Sequence, residues 1–145
     1  MITAADILAA RILIVDDDAQ AAHTLEALLT SAGYGAVTTS ADPRAVVALH
    51  REQDFDAILL DVLMPGMDGF EVMESLKPFE RDGYLPILAL TAEPGHRTQA
   101  LRFGAKDFLR KPFDAEELLL RVRNLLEVRL LYKEHARAAI ACAVP

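Results

Sequence analysis

The stretch "RILIVDDDAQ", residues 11–20, carries the pattern from which the fold can be worked out. Its apolar part, residues 12–15, is a short uninterrupted run of the kind found in strands that are covered on both faces of a sheet. Asp16, Asp17 and Asp18 follow at once, and carboxylates this close repel one another and raise one another's pKa. Folding alone gives little reason for such a run, so the three acids either are tolerated in a loop or hold something positively charged.

The composition indicates one globular domain of ordinary size. The chain has 145 residues, of which 52% are hydrophobic and 26% charged. Its formal net charge of −7 argues against sequence-independent binding to nucleic acid or to an anionic membrane surface, because both need a basic footprint. No apolar run approaches the ~18 residues that a membrane span needs. Cys142 is the only cysteine, which excludes an internal disulfide, and we therefore expect a reducing, cytoplasmic setting.

Short apolar runs alternate along the chain with stretches of helical period, and this alternation predicts five β-α units. The predicted strands are residues 11–15, 35–39, 56–60, 85–90 and 106–110. Such runs are buried on both faces, and right-handed helical crossovers between them produce a parallel sheet. A barrel needs eight units, so we predict an α/β fold with a doubly wound five-stranded parallel sheet in the flavodoxin-like order 2-1-3-4-5.

The C-terminal part of the sequence predicts a helix that is longer than such a sheet needs. From Asp114 onward no Gly or Pro interrupts the chain before Pro145. We therefore predict an N-terminal segment at 1–10, the α/β domain at 11–127, and a helical extension with a tail at 128–145. An apolar side continues into the extension, which is either the amphipathic tail of a core helix or a dimerising or linker helix.

Residues that can do chemistry stand where the predicted strands end. Asp61 ends strand three, Thr91 ends strand four and Lys111 ends strand five. Ligands bind at the carboxyl ends of such strands, and the predicted order places Asp16 and Asp17 beside Asp61. Crowded carboxylates favour a hard divalent cation, with Mg²⁺ preferred where phosphate joins the coordination shell. Together with the hydroxyl and the ammonium, they are the parts needed for phosphoryl transfer onto aspartate.

Four motifs resemble those of the receiver (CheY-like) domains of bacterial two-component response regulators. They are "ILIVDDD" (12–18), "DVLMPGMDG" (61–69), "LTA" (90–92) and "GAKDFLRKPF" (104–113), in the family's order and at fitting spacing. The resemblance covers roughly residues 11 to 127. It implies a cytoplasmic phosphorelay protein that is regulatory and catalyses only its own phosphorylation and dephosphorylation.

The resemblance also implies a metal site and a phosphoacceptor. Asp61 matches the phosphoacceptor, which is also a Mg²⁺ ligand. Asp17 matches a direct Mg²⁺ ligand, and Asp16 a ligand that acts largely through water. Leu63 matches the position whose backbone carbonyl completes the metal shell.

Three further positions match the parts of the family that respond to the phosphoryl group. Thr91 matches the switch hydroxyl that moves to bond a phosphoryl oxygen, and Lys111 the lysine that pairs with that oxygen. Phe108 matches the aromatic switch position, where tyrosine is frequent. Because Phe108 has no hydroxyl, it can report an inward or outward rotation only through packing.

The implied partner is a sensor histidine kinase or a phosphotransfer protein. A homodimer is expected through either the face made by the fourth crossover helix, strand five and the following helix, or the C-terminal helix. Residues 118–134 resemble the junction in regulators of the HD-GYP type. Two alternatives stay open: a haloacid-dehalogenase-like phosphatase with Asp16 as nucleophile and Asp18 as its acid/base partner, and an interaction module that keeps the fold without using phosphate.

Other polar residues are predicted to have structural roles. Asp18 precedes a helical stretch and is expected to cap it, and Asp42 has the same place before Pro43. Residues 64–68 are expected to form a turn before a helix that starts at Asp68 and Gly69. The histidines show no spacing typical of a zinc site and are expected on the surface. They are His23, His50, His96 and His135.

Overall fold

The structure is a computed structural model that describes residues 1–64 and 68–143. Pro65, Gly66 and Met67 of the predicted turn lie outside the described residues, as do residues 144 and 145. The strands are Arg11–Val15 (β1), Ala36–Ser40 (β2), Ala57–Asp61 (β3), Ile87–Thr91 (β4) and Asp107–Arg110 (β5). The α-helices are Ala4–Leu8 (α1), Ala19–Ser31 (α2), Val46–Gln53 (α3), Gly69–Gly83 (α4), Arg97–Arg102 (α5) and Ala115–Ala143 (α6). Short 3-10 turns at Pro43–Ala45 and Pro94–His96 precede α3 and α5.

The five strands form one parallel sheet in the order β2-β1-β3-β4-β5, which confirms the predicted flavodoxin-like topology. β1 therefore lies between β2 and β3, and β5 is an edge strand. All residues of β3 and β4 are buried, as expected for strands that are covered on both faces. Four of the strands begin one or two residues later than predicted, a difference that is usual at element ends.

Two apolar cores lie on opposite faces of the sheet, because successive side chains of a strand point in opposite directions. Ile12 and Ile14 of β1 pack with residues of α2 and α6. Leu13 and Val15 of the same strand pack with residues of α3, α4 and α5. This division explains why the run at 12–15 has no polar residue.

Aspartates cap the helices where the sequence predicts them. Oδ1 of Asp18 accepts hydrogen bonds from the backbone N–H groups of Gln20 at 3.0 Å and Ala21 at 3.4 Å. Oδ1 of Asp68 accepts from the N–H of Glu71 at 3.0 Å, and α4 begins at Gly69. Asp42 likewise caps the 3-10 turn that precedes α3. Each carboxylate satisfies donors that the first helical turn leaves unpaired.

The N-terminal segment contains a helix that the sequence patterns did not predict. α1 has Thr3 as its N-cap, and Thr3 and Asp6 form a reciprocal capping box. Ile7 of this helix is buried in the core that α6 covers. Five residues give too short an apolar period to recognise, so only the capping box could have signalled α1.

The expectation that the histidines lie on the surface is wrong for His50. This residue is 5% exposed, and its Nδ1 accepts a hydrogen bond from the backbone N–H of Phe55 at 3.1 Å. Its ring also meets that of Phe79 edge-on, with 4.8 Å between the ring centroids. Burial is tolerated because the ring nitrogen has a backbone partner. None of the helices in the described part of the chain is long and apolar enough to cross a membrane.

Candidate functional site

The ends of β1 and β3 bring Asp16, Asp17 and Asp61 together. One carboxylate oxygen from each residue lies within 4.8 Å of the other two. Asp16 is 1% exposed and Asp61 9% exposed, whereas Asp17 is exposed. The cluster forms because β1 and β3 are neighbours in register, with Val15 opposite Leu60, so that the residues after them emerge at the same edge.

Backbone groups hold the two buried carboxylates in place. Oδ1 of Asp16 accepts from the N–H of Asp18 at 2.9 Å, and Oδ1 of Asp61 accepts from the N–H of Leu63 at 3.1 Å. In both cases the acceptor lies two residues before the donor, so a tight turn at the strand end fixes the rotamer. Oδ2 of each residue is left facing the centre of the site.

The ammonium of Lys111 faces both buried carboxylates. Its Nζ lies 3.1 Å from Oδ2 of Asp16 and 3.7 Å from Oδ2 of Asp61. Lys111 follows the edge strand β5, where its backbone N–H bonds to the carbonyl of Thr91 at 2.8 Å, and its peptide bond to Pro112 is cis. One ammonium does not balance three carboxylates, so the site keeps an excess of negative charge that suits a cation.

Burial raises the pKa of Asp61 from 3.8 to about 6. The ammonium of Lys111 and the N–H of Leu63 act in the opposite direction because they favour the charged carboxylate. The carboxylate of Asp16 adds to the rise through repulsion. A carboxylate with a raised pKa in a pocket is a common feature of functional sites.

Thr91 lies at the end of β4 and is fully buried. Its Oγ1 accepts a hydrogen bond from the N–H of Glu93 at 3.1 Å, so its own hydrogen is available to another acceptor. Phe108 lies in β5, half-buried against the core that α3, α4 and α5 cover. The sheet order thus places the hydroxyl of Thr91 between the strands of Asp61 and Lys111, while Phe108 lies further back along β5.

Gly69 supports the site in a way that its sequence pattern did not reveal. Its N–H donates to the carbonyl of Val62 at 2.9 Å. A Cβ at this position would lie 2.6 Å from Cα of Val62 and 2.9 Å from the carbonyl oxygen of Asp61. The pair Asp68-Gly69 was interpreted as a helix start, and nothing local signals that α4 must approach β3 so closely.

The family model of the response regulator receiver domain matches residues 12–123. The response regulator PleD of Caulobacter vibrioides is 43% identical over 129 residues, which are 88% of this chain and 28% of PleD. The transcriptional regulatory protein TcrA of Mycobacterium tuberculosis is 42% identical over 117 residues, which are 79% of this chain and 45% of TcrA. The chain thus spans less than half the length of these curated relatives.

Solved structures of receiver proteins share the fold. The chemotaxis protein CheY4 of Vibrio cholerae is 35% identical with a TM-score of 0.73, and the match covers 81% of this chain and 98% of CheY4. The receiver domain of the Francisella response regulator 1452 is 27% identical with a TM-score of 0.72, covering 81% of this chain and 97% of that domain. These matches decide against the haloacid-dehalogenase-like alternative.

Because the family match spans most of the chain and the strand order is that of the family, this chain belongs to the response regulator receiver domains, which are regulatory and not classical enzymes.

Proposed function

We propose that Asp61 accepts a phosphoryl group from the phosphohistidine of a sensor histidine kinase or a phosphotransfer protein. The observation that carries this proposal is the convergence of three carboxylates and one ammonium at the carboxyl edge of the sheet. Asp61 is the member of the cluster that lies on the central strand β3. The hydrogen bond from the N–H of Leu63 to its Oδ1 fixes the orientation of its carboxylate.

The donor set fits Mg²⁺. Hard cations take carboxylate and carbonyl oxygens, and we assign Asp16, Asp17, Asp61 and the carbonyl of Leu63 as the groups that would hold the ion. When bound, Mg²⁺ would supply positive charge that offsets the repulsion among the carboxylates and neutralises phosphoryl oxygens. Leu63 is 43% exposed, so this position lies at the surface of the protein.

The transfer itself needs little chemistry from the chain beyond positioning. An oxygen of the Asp61 carboxylate attacks phosphorus, so an O–P bond forms while the P–N bond to the donor imidazole breaks. The electron pair of that bond stays on the imidazole nitrogen, which takes up a proton. With a pKa of about 6, Asp61 is mainly ionised and nucleophilic at neutral pH.

Two residues then respond to the new group. The ammonium of Lys111 pairs with a phosphoryl oxygen, and the hydroxyl of Thr91 turns to donate to another. Phosphorylation adds roughly −1.5 to −2 charges at the strand ends, so these contacts exist in only one of the two states. We assign Phe108 as the side chain whose packing reports the change on the face made by α5, β5 and α6.

That face and the C-terminal helix are the two surfaces proposed for self-association. Leu101 of α5 is 44% exposed on the first, and Leu131 of α6 is 50% exposed on the second. Leu120 and Val128 of α6 are also exposed. Their spacing of eight and three residues places them on the same side of the helix as Leu131.

Incubation with acetyl phosphate and Mg²⁺ tests the phosphoacceptor. Intact-protein mass spectrometry is expected to show the addition of one phosphoryl group to the wild type and none to Asp61→Asn. Asp114→Asn is the matched control, because Asp114 is exposed at the start of the α6 segment and stands outside the cluster. A wild type that stays unmodified under these conditions contradicts the proposal.

A second experiment separates the phosphate-independent interaction module. Beryllofluoride with Mg²⁺ mimics the phosphoryl group, and calorimetry is expected to detect its binding to the wild type but not to Asp61→Asn. A chain that keeps the fold without using phosphate would not bind beryllofluoride.

A further inference from the structure

A second charge cluster lies at the opposite end of the strands from the candidate site, where β3 begins. Arg129 and Asp56 are 5% and 4% exposed, and Nε of Arg129 lies 3.4 Å from Oδ1 of Asp56. Nζ of Lys133 lies 3.0 Å from the same oxygen. Oδ2 of Asp56 accepts from the backbone N–H of Arg11 at 3.0 Å, so the carboxylate also reaches the start of β1. Charges this deeply buried are costly unless they are paired, so the cluster is maintained as a unit.

The same guanidinium reaches two backbone segments that adopt an unfavourable conformation. Among the described residues, the non-glycine residues with positive φ are Asp54, at 52°, and Tyr84, at 50°. A left-handed backbone crowds Cβ against the neighbouring carbonyl and is uncommon outside glycine. Nη1 of Arg129 donates to the carbonyl of Tyr84 at 3.4 Å, and Nη2 contacts Oδ1 of Asp54 at 3.5 Å. Nη2 also donates to the carbonyl of Phe55 at 3.4 Å.

These contacts connect α6 to two of the strands that end in the candidate site, β3 and β4. Asp54 and Phe55 lie just before β3, which ends at Asp61, and Tyr84 lies just before β4, which ends at Thr91. The ring of Tyr84 also stacks on that of Tyr132, with 5.7 Å between the centroids. The helix therefore contacts both loops through two successive turns, at Arg129 and at Tyr132.

We propose that Arg129 is a positioning residue that fixes the loops before β3 and β4 and at the same time holds residues 128–134 of α6 on this edge of the sheet. Its planar fork of donors reaches four acceptor residues at once, whereas a single ammonium has only three donors. Lys133 supports the same attachment from the outer side, where it is 30% exposed. The direction in which α6 leaves the sheet is thereby tied to the strands of Asp61 and Thr91. This role does not depend on whether Asp61 accepts a phosphoryl group.

Hydrogen exchange measured by mass spectrometry on the whole chain tests the proposal. In Arg129→Met, the amides of residues 130–138, 54–56 and 84–85 are expected to exchange about tenfold faster or more, while residues 12–15 of β1 keep their protection. In Lys133→Met, only residues 130–138 are expected to exchange faster. Arg137→Met is the matched control, since Arg137 is an exposed cation on the same helix, and its exchange is expected to equal that of the wild type.

Arg129→Lys separates the effect of the positive charge from the effect of the forked guanidinium donors. The lysine keeps a cation beside Asp56, so residues 130–138 are expected to stay protected while residues 54–56 and 84–85 exchange faster. Wild-type protection of both loops in this variant overturns the role of the fork. If Arg129→Met fails to fold, Lys133→Met tests the attachment of α6. Faster exchange confined to residues 130–138 supports the attachment. Unchanged exchange at residues 130–138, or a loss of protection shared equally with β1, overturns it.

Discussion

Gly69 lies so close to Val62 that a Cβ atom on the glycine would stand 2.6 Å from Cα of Val62. The atoms that the Cβ would meet are backbone atoms of Val62 and Asp61, which cannot rotate away. The N–H of Gly69 also bonds the first turn of α4 to the carbonyl of Val62, just after β3. Any side chain at position 69 must therefore push the helix away from the strand that carries Asp61. The position of α4 and the geometry of Asp61 are coupled through this contact.

Gly69→Ala is expected to lower the free energy of unfolding by about 1–3 kcal/mol, the usual cost of forcing extra volume into a packed site. It is also expected to slow the modification of Asp61 by acetyl phosphate, because the carbonyl of Asp61 is 2.9 Å from the added atom. Urea unfolding and mass spectrometry measure the two effects. Gly35→Ala is the control, since a Cβ there meets nothing within 4 Å, and equal stability of the two variants would refute the close approach.

Asp17 and Asp18 are adjacent in sequence but are expected to respond oppositely to replacement by alanine. Asp17→Ala removes a proposed ligand from an exposed position, so calorimetry should show loss of Mg²⁺ binding with little change in stability. Asp18→Ala removes the N-cap of α2 and should cost ~0.5–2 kcal/mol of stability while Mg²⁺ still binds. Mg²⁺ binding that survives in Asp17→Ala and disappears in Asp18→Ala would reverse the assignment.

The sequence determines the sheet more completely than it determines the contacts between helices and sheet edges. The apolar run at 12–15 and its counterparts predict the strands, and the strand order then brings Asp16, Asp17 and Asp61 to one edge. Such inferences need only local periodicity and the rule for parallel sheets.

Long-range contacts of single side chains have no such local signal. Arg129 follows the apolar positions of α6, and no local pattern predicts that this arginine is buried. It is buried because Asp56, 73 residues earlier, provides a carboxylate at the same place. His50 is a similar case, because its buried partner is a backbone N–H five residues later. Neither pairing follows from periodicity, since both depend on how α3 and α6 meet the ends of the strands.

His50 is expected to make stability depend on pH. Burial lowers the pKa of His50 below 6.5, although the carboxylates of Asp54 and Asp56 act in the opposite direction. The unfolded chain therefore binds a proton more readily than the native one. Its contribution to stability is complete above about pH 6.5 and is lost as the pH falls towards the lowered native pKa.

Comparison with His50→Asn isolates this effect, because the asparagine side-chain oxygen can accept the N–H of Phe55 but does not titrate. The difference in free energy of unfolding between wild type and variant should be constant above about pH 7 and should shift in favour of the variant as the pH falls below about 6. Urea unfolding at a series of pH values measures it. A difference that does not change with pH would show that His50 is not held neutral by burial.

The two surfaces proposed for self-association can be distinguished with one change of charge on each. Leu131→Glu places a carboxylate on the outward side of α6, and Leu101→Glu places one on α5. Both positions are about half exposed, so each variant should keep its stability within about 0.5 kcal/mol. Analytical ultracentrifugation of the beryllofluoride complex is expected to show a dimer for the wild type and for Leu101→Glu but a monomer for Leu131→Glu. The reason is that Leu131 shares its side of α6 with two more exposed apolar residues, Leu120 and Val128. The opposite result would assign the dimer to the face of α5, β5 and α6, and a wild type that stays monomeric would contradict self-association through either surface.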